Sequence, residues 1–203
     1  LSEICGTTVV LCSATQPELK AACHPLCREP VELSPQPRAL WDIFKRTEIQ
    51  NAGCAKLEEI PSAVRKALEG CNSLLVVCNT KKEAAFLFDR LPECQRFHLS
   101  AAMCVAHRRQ ELMALQAALD SLPTAGGKVV CISTQVIEAG VDISFQQVIR
   151  FSAGMDSVVQ AAGRCNRHAE QDTPAPVQIL RCTDETLYGL ADIVRGQNAP
   201  YPF

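Results

Sequence analysis

Continuous apolar runs, rather than alternating ones, mark the strands of this chain. Val9-Val10-Leu11-Cys12, Leu74-Leu75-Val76-Val77-Cys78, Val129-Val130-Cys131-Ile132, Val148-Ile149 and Val177-Gln178-Ile179-Leu180 each read as a short strand covered on both faces. Between them apolar residues recur at helical spacing. Leu57, Ile60, Val64, Ala67 and Leu68 predict a helix over 57–68, and further helices are predicted over 82–91, 107–122, 155–164 and 185–195. Strands that alternate with helices imply right-handed crossovers, hence an α/β fold in layers around a mostly parallel sheet.

Three prolines between Pro30 and Pro37 read as an extended connector. It sets off residues 1–30, too few for a domain, from a domain over 31–196. Residues 197–203, ending Ala199-Pro200-Tyr201-Pro202-Phe203, read as the start of a further linker, so the chain reads as a fragment at both ends.

Composition narrows the class only a little. With 203 residues, 47% hydrophobic and 21% charged, the chain suits one globular domain plus a piece of another. No apolar run reaches the roughly 20 residues that cross a bilayer, and no leader opens the chain, so a cytoplasmic protein with no membrane partner is expected. A net charge of −2 argues against a general coating of nucleic acid but allows a local basic groove. Cys12, Cys78 and Cys131 fall inside strand-like runs, where a reduced thiol acts as a small hydrophobe. The tight cluster Cys23-His24-Pro25-Leu26-Cys27 has no second ligand pair close behind it, so free thiols are expected rather than a metal site.

Two segments carry chemistry. Gln160-Ala161-Ala162-Gly163-Arg164-Cys165-Asn166-Arg167 places two arginines three apart at a helix end, where they are expected to face the same way. A pair of permanently charged guanidiniums suits a transferring γ-phosphoryl group, and Gln160 could orient a water, although a solvated basic helix end would look the same. Upstream, Ile132-Ser133-Thr134-Gln135-Val136-Ile137-Glu138-Ala139-Gly140-Val141-Asp142 is a strand, a polar turn and a Gly-x-Asp. A hydroxyl at the C-terminal end of a parallel strand suits a phosphate, or else an N-cap by Ser133 or Thr134.

In this order and spacing the two segments resemble motifs V and VI of superfamily 2 helicases. Ser13-Ala14-Thr15 resembles motif III, and Leu75-Val76-Val77-Cys78-Asn79-Thr80 resembles motif IV. The wording Gln-Ala-Ala-Gly-Arg-Cys-Asn-Arg, with Asn166 where most of the superfamily has Gly, is similar to the CRISPR-associated nuclease-helicases of type I systems. So are the 133–142 segment, His98-Leu99-Ser100-Ala101-Ala102-Met103-Cys104-Val105-Ala106-His107-Arg108, Ser13-Ala14-Thr15-Gln16-Pro17, and Glu32-Leu33-Ser34-Pro35 ahead of Trp41 and Phe44.

The resemblance implies a RecA-like three-layer sandwich, the second of two motor domains, with residues 1–30 the tail of the first and a connector. It implies ATP and Mg²⁺ as cofactors, with Gly140, Asp142, Gln160, Arg164 and Arg167 at the nucleotide and with Arg164, Arg167 and Gln160 in catalysis. Asn79, Thr80, Ser100, Thr134 and Gln135 would hold single-stranded DNA by its phosphates. Translocation would run 3′ to 5′, in the service of degrading invading DNA. The implied partners are the first RecA-like domain, an HD nuclease and the CRISPR surveillance complex (Cascade). The chain has no Gly-x-x-x-x-Gly-Lys-Ser/Thr, since Gly126-Gly127-Lys128 runs into Val129 and reads as a turn. Asp184-Glu185-Thr186-Leu187 reads as the cap of the last helix rather than an acidic magnesium motif, and no His-Asp dyad is present. His24, His98, His107 and His168 read as structural or surface residues. By itself the chain is expected to be inactive. Another superfamily 2 DNA or RNA helicase, and a non-catalytic module of the same fold, stay open as alternatives.

Overall fold

The computed structural model describes residues 5–10, 31, 33, 45–91, 94–138 and 142–198. The chain divides into two units, Leu1–Trp41 and Asp42–Phe203. In the first, the described residues belong to no strand. Val9 and Val10 are exposed, 59% and 66%, so the strand expected at Val9–Cys12 is not formed over its described half. An apolar run becomes a buried strand only where neighbours pair with it, and the described sheet is built wholly from the second unit. Cys12, the Ser13-Ala14-Thr15 triplet, the Cys23–Cys27 cluster, His24, Trp41, Phe44 and most of the 30–37 connector lie outside the described residues.

The second unit runs β1 (Thr47–Ala55), α1 (Ile60–Glu69), β2 (Ser73–Val77), α2 (Lys81–Arg90), β3 (Gln95–Leu99), α3 (Val105–Ala125), β4 (Val129–Ser133), β5 (Gln147–Phe151), α4 (Met155–Ala162), β6 (Ala175–Cys182) and α5 (Ala191–Asn198). Its sheet has the order β1-β6-β5-β2-β4-β3, with every pair parallel.

The apolar runs of β2, β4 and β5 are buried throughout because alternate residues serve two cores. Leu75, Val77, Val129, Cys131 and Val148 join Leu115 of α3 and Val158 and Ala161 of α4 on one face. Leu74, Val76, Val130, Ile132 and Ile149 join Ile60, Val64 and Leu68 of α1 and Ala84 and Leu87 of α2 on the other. Helices on both sides of a parallel sheet make the three-layer α/β sandwich that the periodicity predicts.

The differences have local causes. Helix α1 starts at Ile60, three residues later than predicted, where Pro61 takes a first-turn position that needs no N–H donor; Leu57 N–H instead donates to Asp184. Helix α5 starts at Ala191, not at 185, because Gly189 turns the chain at φ +79° and the side chains of Asp184 and Glu185 are committed elsewhere. Asp184-Glu185 is thus not the cap of the last helix. Helix α4 stops at Ala162, with Gly163 as its C-cap, so Arg164 is outside it.

Candidate functional site

Three loops meet at the C-terminal end of the sheet. Cys78 N–H donates to Ser133 O at 2.8 Å and Thr134 N–H to Leu99 O at 3.0 Å, which aligns the exits of β2, β3 and β4. After β2, Thr80 caps α2 in a capping box: its hydroxyl accepts from Glu83 N–H, and the Glu83 carboxylate accepts from Thr80 N–H at 2.9 Å and Asn79 N–H at 3.1 Å. Burial pushes the Glu83 carboxyl up from its ordinary value, against those hydrogen bonds. After β3, the Ser100 hydroxyl accepts from Ala102 N–H at 3.2 Å. After β4, Gln135 is exposed, whereas the Thr134 hydroxyl is buried and has no partner among the described residues. The five residues expected to hold DNA thus sit at one edge. The Asn79 side chain already has partners there, since its amide nitrogen donates to Ser152 O at 3.0 Å and to Glu185 at 2.9 Å.

Beneath that edge lies a charged group that the hydrophobic pattern conceals. Arg150, in the middle of β5, is wholly buried. Its Nε stands 3.0 Å from Glu138 Oε1. Its Nη1 donates to Asn79 Oδ1 at 2.6 Å and Phe151 O at 2.8 Å, and its Nη2 to Ser157 at 2.8 Å. The Ser157 hydroxyl lies 2.7 Å from the Glu138 carboxylate. Burial raises the Glu138 carboxyl, and the Arg150 charge beside it works in the opposite direction. Glu138 closes the single 3₁₀ turn Gln135–Ile137 that follows β4.

The two motif arginines separate. Beyond Gly163 the chain leaves the helix and forms a bridge between Phe145 and Cys165, with Phe145 N–H donating to Arg164 O at 2.9 Å and Asn166 N–H to Phe145 O at 2.8 Å. Asn166 takes φ +46°, a conformation open to Gly and tolerated by Asn. Its side chain holds the turn by donating to Arg46 O at 3.2 Å and accepting from Gln171 N–H at 3.1 Å.

Arg164 therefore turns inward. It is 7% exposed, and it donates to Ile137 O at 3.1 Å and Glu138 O at 2.9 Å, while its buried Nη1 has no partner among the described residues. Burial, and then the neighbouring Arg167 charge, lowers its pKa. Arg167 turns outward, with its side chain 37% exposed, its Nε 2.5 Å from Asp142 Oδ1 and its Nη1 3.2 Å from Gly163 O. That hydrogen bond from Arg167 holds the Asp142 carboxyl below its ordinary value. Arg167 N–H also donates to the Ser144 hydroxyl at 3.0 Å, ahead of β5, so this arginine and Asp142 sit away from the edge that carries Asn79 and Thr134. The expectation of a shared helical face fails because Gly163 ends the helix before either arginine is reached. Gln160 is half-buried on α4, and Gly140 lies outside the described residues.

Among the described residues, no group of three or more His, Cys, Asp and Glu side chains could hold a metal ion, and no helix is long and apolar enough to cross a membrane. His98 is half-buried against Phe88, and His168 is 3.8 Å from Asp142. Sequence reasoning passed over Arg150, Ser157, Glu83 and Gln197, and it read Glu185 as part of a helix cap rather than as a partner of Asn79 and Gln197. A charge in the middle of a strand buried on both faces, Gln147-Val148-Ile149-Arg150-Phe151, was the one available signal.

A parallel sandwich with a polar strand-exit edge and an outward arginine beyond the end of α4 is an arrangement that suits a motor domain of the helicase kind. Residues 71–170 match the family described as CRISPR-associated nuclease/helicase Cas3, C-terminal, and the chain carries a Cas3-like C-terminal helicase domain. It is 57% identical over 51 residues to the CRISPR-associated nuclease/helicase Cas3 of Haloferax volcanii, a stretch that takes in 25% of this chain and 5% of that protein. The fold is similar to crystal structures of T. fusca Cas3 with ATP (TM-score 0.58, 18% identity, 77% of this chain and 19% of that one) and with ADP (TM-score 0.59, 20% identity, 86% and 22%). It is also similar to a chain of a CRISPR RNA-guided surveillance complex in a pre-nicking state (TM-score 0.54, 17% identity, 77% and 20%). The chain thus spans a small part of each of these relatives.

Proposed function

We propose that this chain is the second motor domain of an ATP-dependent DNA translocase, a nuclease-helicase of the Cas3 kind that moves 3′ to 5′ and degrades invading DNA alongside a CRISPR surveillance complex. Residues 31–196 form that domain in this reading, 1–30 end the first motor domain, and 197–203 begin a linker. The observation that carries it is Arg167, a 37% exposed guanidinium whose carboxylate partner among the described residues, Asp142, is itself open to solvent. A phosphate oxygen can replace that carboxylate at little cost, because exposed ion pairs are worth about 0–1 kcal/mol.

The residues present fit a nucleotide. Arg164 keeps one buried donor without a partner among the described residues, Arg167 is outward, and Gln160 lies on the same segment. When bound, ATP would supply the phosphoryl group whose transfer to water drives the motor. Arg167 would stabilise the charge that develops there, a contribution of roughly 10³–10⁵ in rate for an arginine supplied across a domain interface. Gln160 would orient the water. Gly140 and Asp142 would border the nucleotide, with Asp142 holding Arg167 aimed between cycles. Arg164 would act mainly by fixing the 135–138 turn. Mg²⁺ would be held by the first motor domain. Single-stranded DNA would lie along the exits of β2, β3 and β4, gripped through its phosphates by Asn79, Thr80, Ser100, Thr134 and Gln135, of which Gln135 is exposed and the Thr134 hydroxyl has no partner among the described residues.

The test joins the chain to its first motor domain and measures ATP hydrolysis alone, with single-stranded DNA and with single-stranded RNA, beside Arg167→Ala. DNA stimulation that Arg167→Ala abolishes is the expected result. Stimulation by RNA only would transfer the assignment to an RNA helicase, and hydrolysis untouched by Arg167→Ala would remove the finger.

A further inference from the structure

Arg150 links three segments that the proposed function treats separately. Through Asn79 it reaches the loop after β2; through Glu138, the 3₁₀ turn after β4; and through Ser157, the first half of α4. The turn is held a second time from the other side, where Arg164 grips the carbonyls of Ile137 and Glu138. Residues 135–138 are therefore fixed by two arginines, one from β5 and one from the segment that carries Arg167.

Stability alone gives no reason for this arrangement. A buried ion pair replaced by apolar residues of similar volume often leaves a fold as stable as before, because desolvation consumes most of the Coulombic gain. A planar guanidinium with donors in three directions does what no apolar side chain can: it fixes the mutual geometry of three separate partners. The loop with Asn79 and Thr80 lies on the proposed DNA edge, α4 carries Gln160, and the turn lies between them.

We propose that Arg150 is a positioning residue that couples DNA binding at the strand exits to hydrolysis at the α4 end, by holding the Gln135–Glu138 turn in register with both. This inference rests on the motor reading above for its functional half, but its structural half can be measured without it.

Two variants test it: Arg150→Lys, which keeps the charge but loses the fork, and the neutral pair Arg150→Met with Glu138→Gln. Hydrogen exchange of the 135–138 amides in the full chain is read beside the DNA-stimulated ATPase of the chain joined to its first motor domain. In a variant that unfolds cooperatively like the parent, these amides are expected to exchange about tenfold faster. The ratio of DNA-stimulated to unstimulated hydrolysis is expected to fall about tenfold. Parental protection and parental stimulation in a folded variant would overturn the proposal. Failure of both variants to fold would also overturn it and assign Arg150 to stability. If the parent shows no stimulation by DNA, the motor reading fails, and the exchange rates alone decide whether Arg150 positions the turn.

Discussion

Arg164 and Arg167 are three residues apart and chemically identical, yet their removal should have opposite signatures. Arg164→Ala deprives the Ile137 and Glu138 carbonyls of charged donors at 3.1 and 2.9 Å within the interior. A hydrogen bond to a charged group contributes about 1.5–3 kcal/mol, and the acceptors left behind are buried. Against that loss, the guanidinium's own desolvation, the first cause of its lowered pKa, is relieved. The net cost is then about 2–4 kcal/mol, near the top of the range for single substitutions. Arg167→Ala removes an ion pair between side chains that are 37% and 73% exposed, together with one bond to Gly163 O, which should leave the stability close to that of the parent. Urea unfolding of the chain and its two variants, followed by far-ultraviolet circular dichroism, reads both values. Equal losses, or a larger loss for Arg167→Ala, would refute the division into an inward clamp and an outward finger. In the motor assay the order reverses in kind: Arg167→Ala should abolish hydrolysis in a protein that is still fully folded.

Three other expectations follow from the packing. Burial lowers the His98 pKa below its ordinary 6.5, so the unfolded chain takes up its proton first and stability declines as pH falls below that value; His98→Phe, which keeps the contact with Phe88, should remove that part of the decline when urea midpoints are compared between about pH 7.5 and 5.5. Gly196→Ala puts a methyl group into the Gly154 backbone, which should unseat α5, cost about 1–3 kcal/mol, and release the Gln197 bond to Ser152 O, read as faster amide exchange in α5. Cys54 and Cys104 are exposed whereas Cys78 and Cys131 are wholly buried, with their thiols pushed up by burial, so maleimide labelling followed by peptide mapping should modify the first pair at least about a hundredfold faster.

The central strands were legible because β2 and β4 are apolar on both faces, whereas β5 showed only Val148 and Ile149 between the polar Gln147 and Arg150. The edge strands were not. β1 reads Thr47-Glu48-Ile49-Gln50-Asn51-Ala52-Gly53-Cys54-Ala55, mostly exposed and interrupted by a bulge at Gly53, and its pairing with β6 rests on backbone hydrogen bonds rather than an apolar pattern. Helices were found by period, but their ends were set by residues the period does not weigh, such as Pro61, Gly163 and Gly189. That is also why the chemistry of the arginine pair could be read while its geometry could not. Spacing of three implies a common face only while a helix continues.

A parallel strand covered on both sides offers water to none of its side chains, so a charge within it must find all its partners inside the protein. Arg150 meets that demand with a carboxylate, an amide, a hydroxyl and backbone oxygen, each from a different stretch of chain. The demand continues outward. Asn79, which accepts from Arg150, donates to Glu185, and Glu185 accepts from Gln197 on α5, which also reaches Ser152 O. In the other direction Glu138 leads, through its own carbonyl, to Arg164. One contiguous polar path thus runs from the last described helix, under the strand exits, to the segment that carries Arg167. Its members other than Asn79, Glu138 and Arg164 lie outside the recognisable motifs, and they are what gives those motifs a fixed geometry with respect to one another.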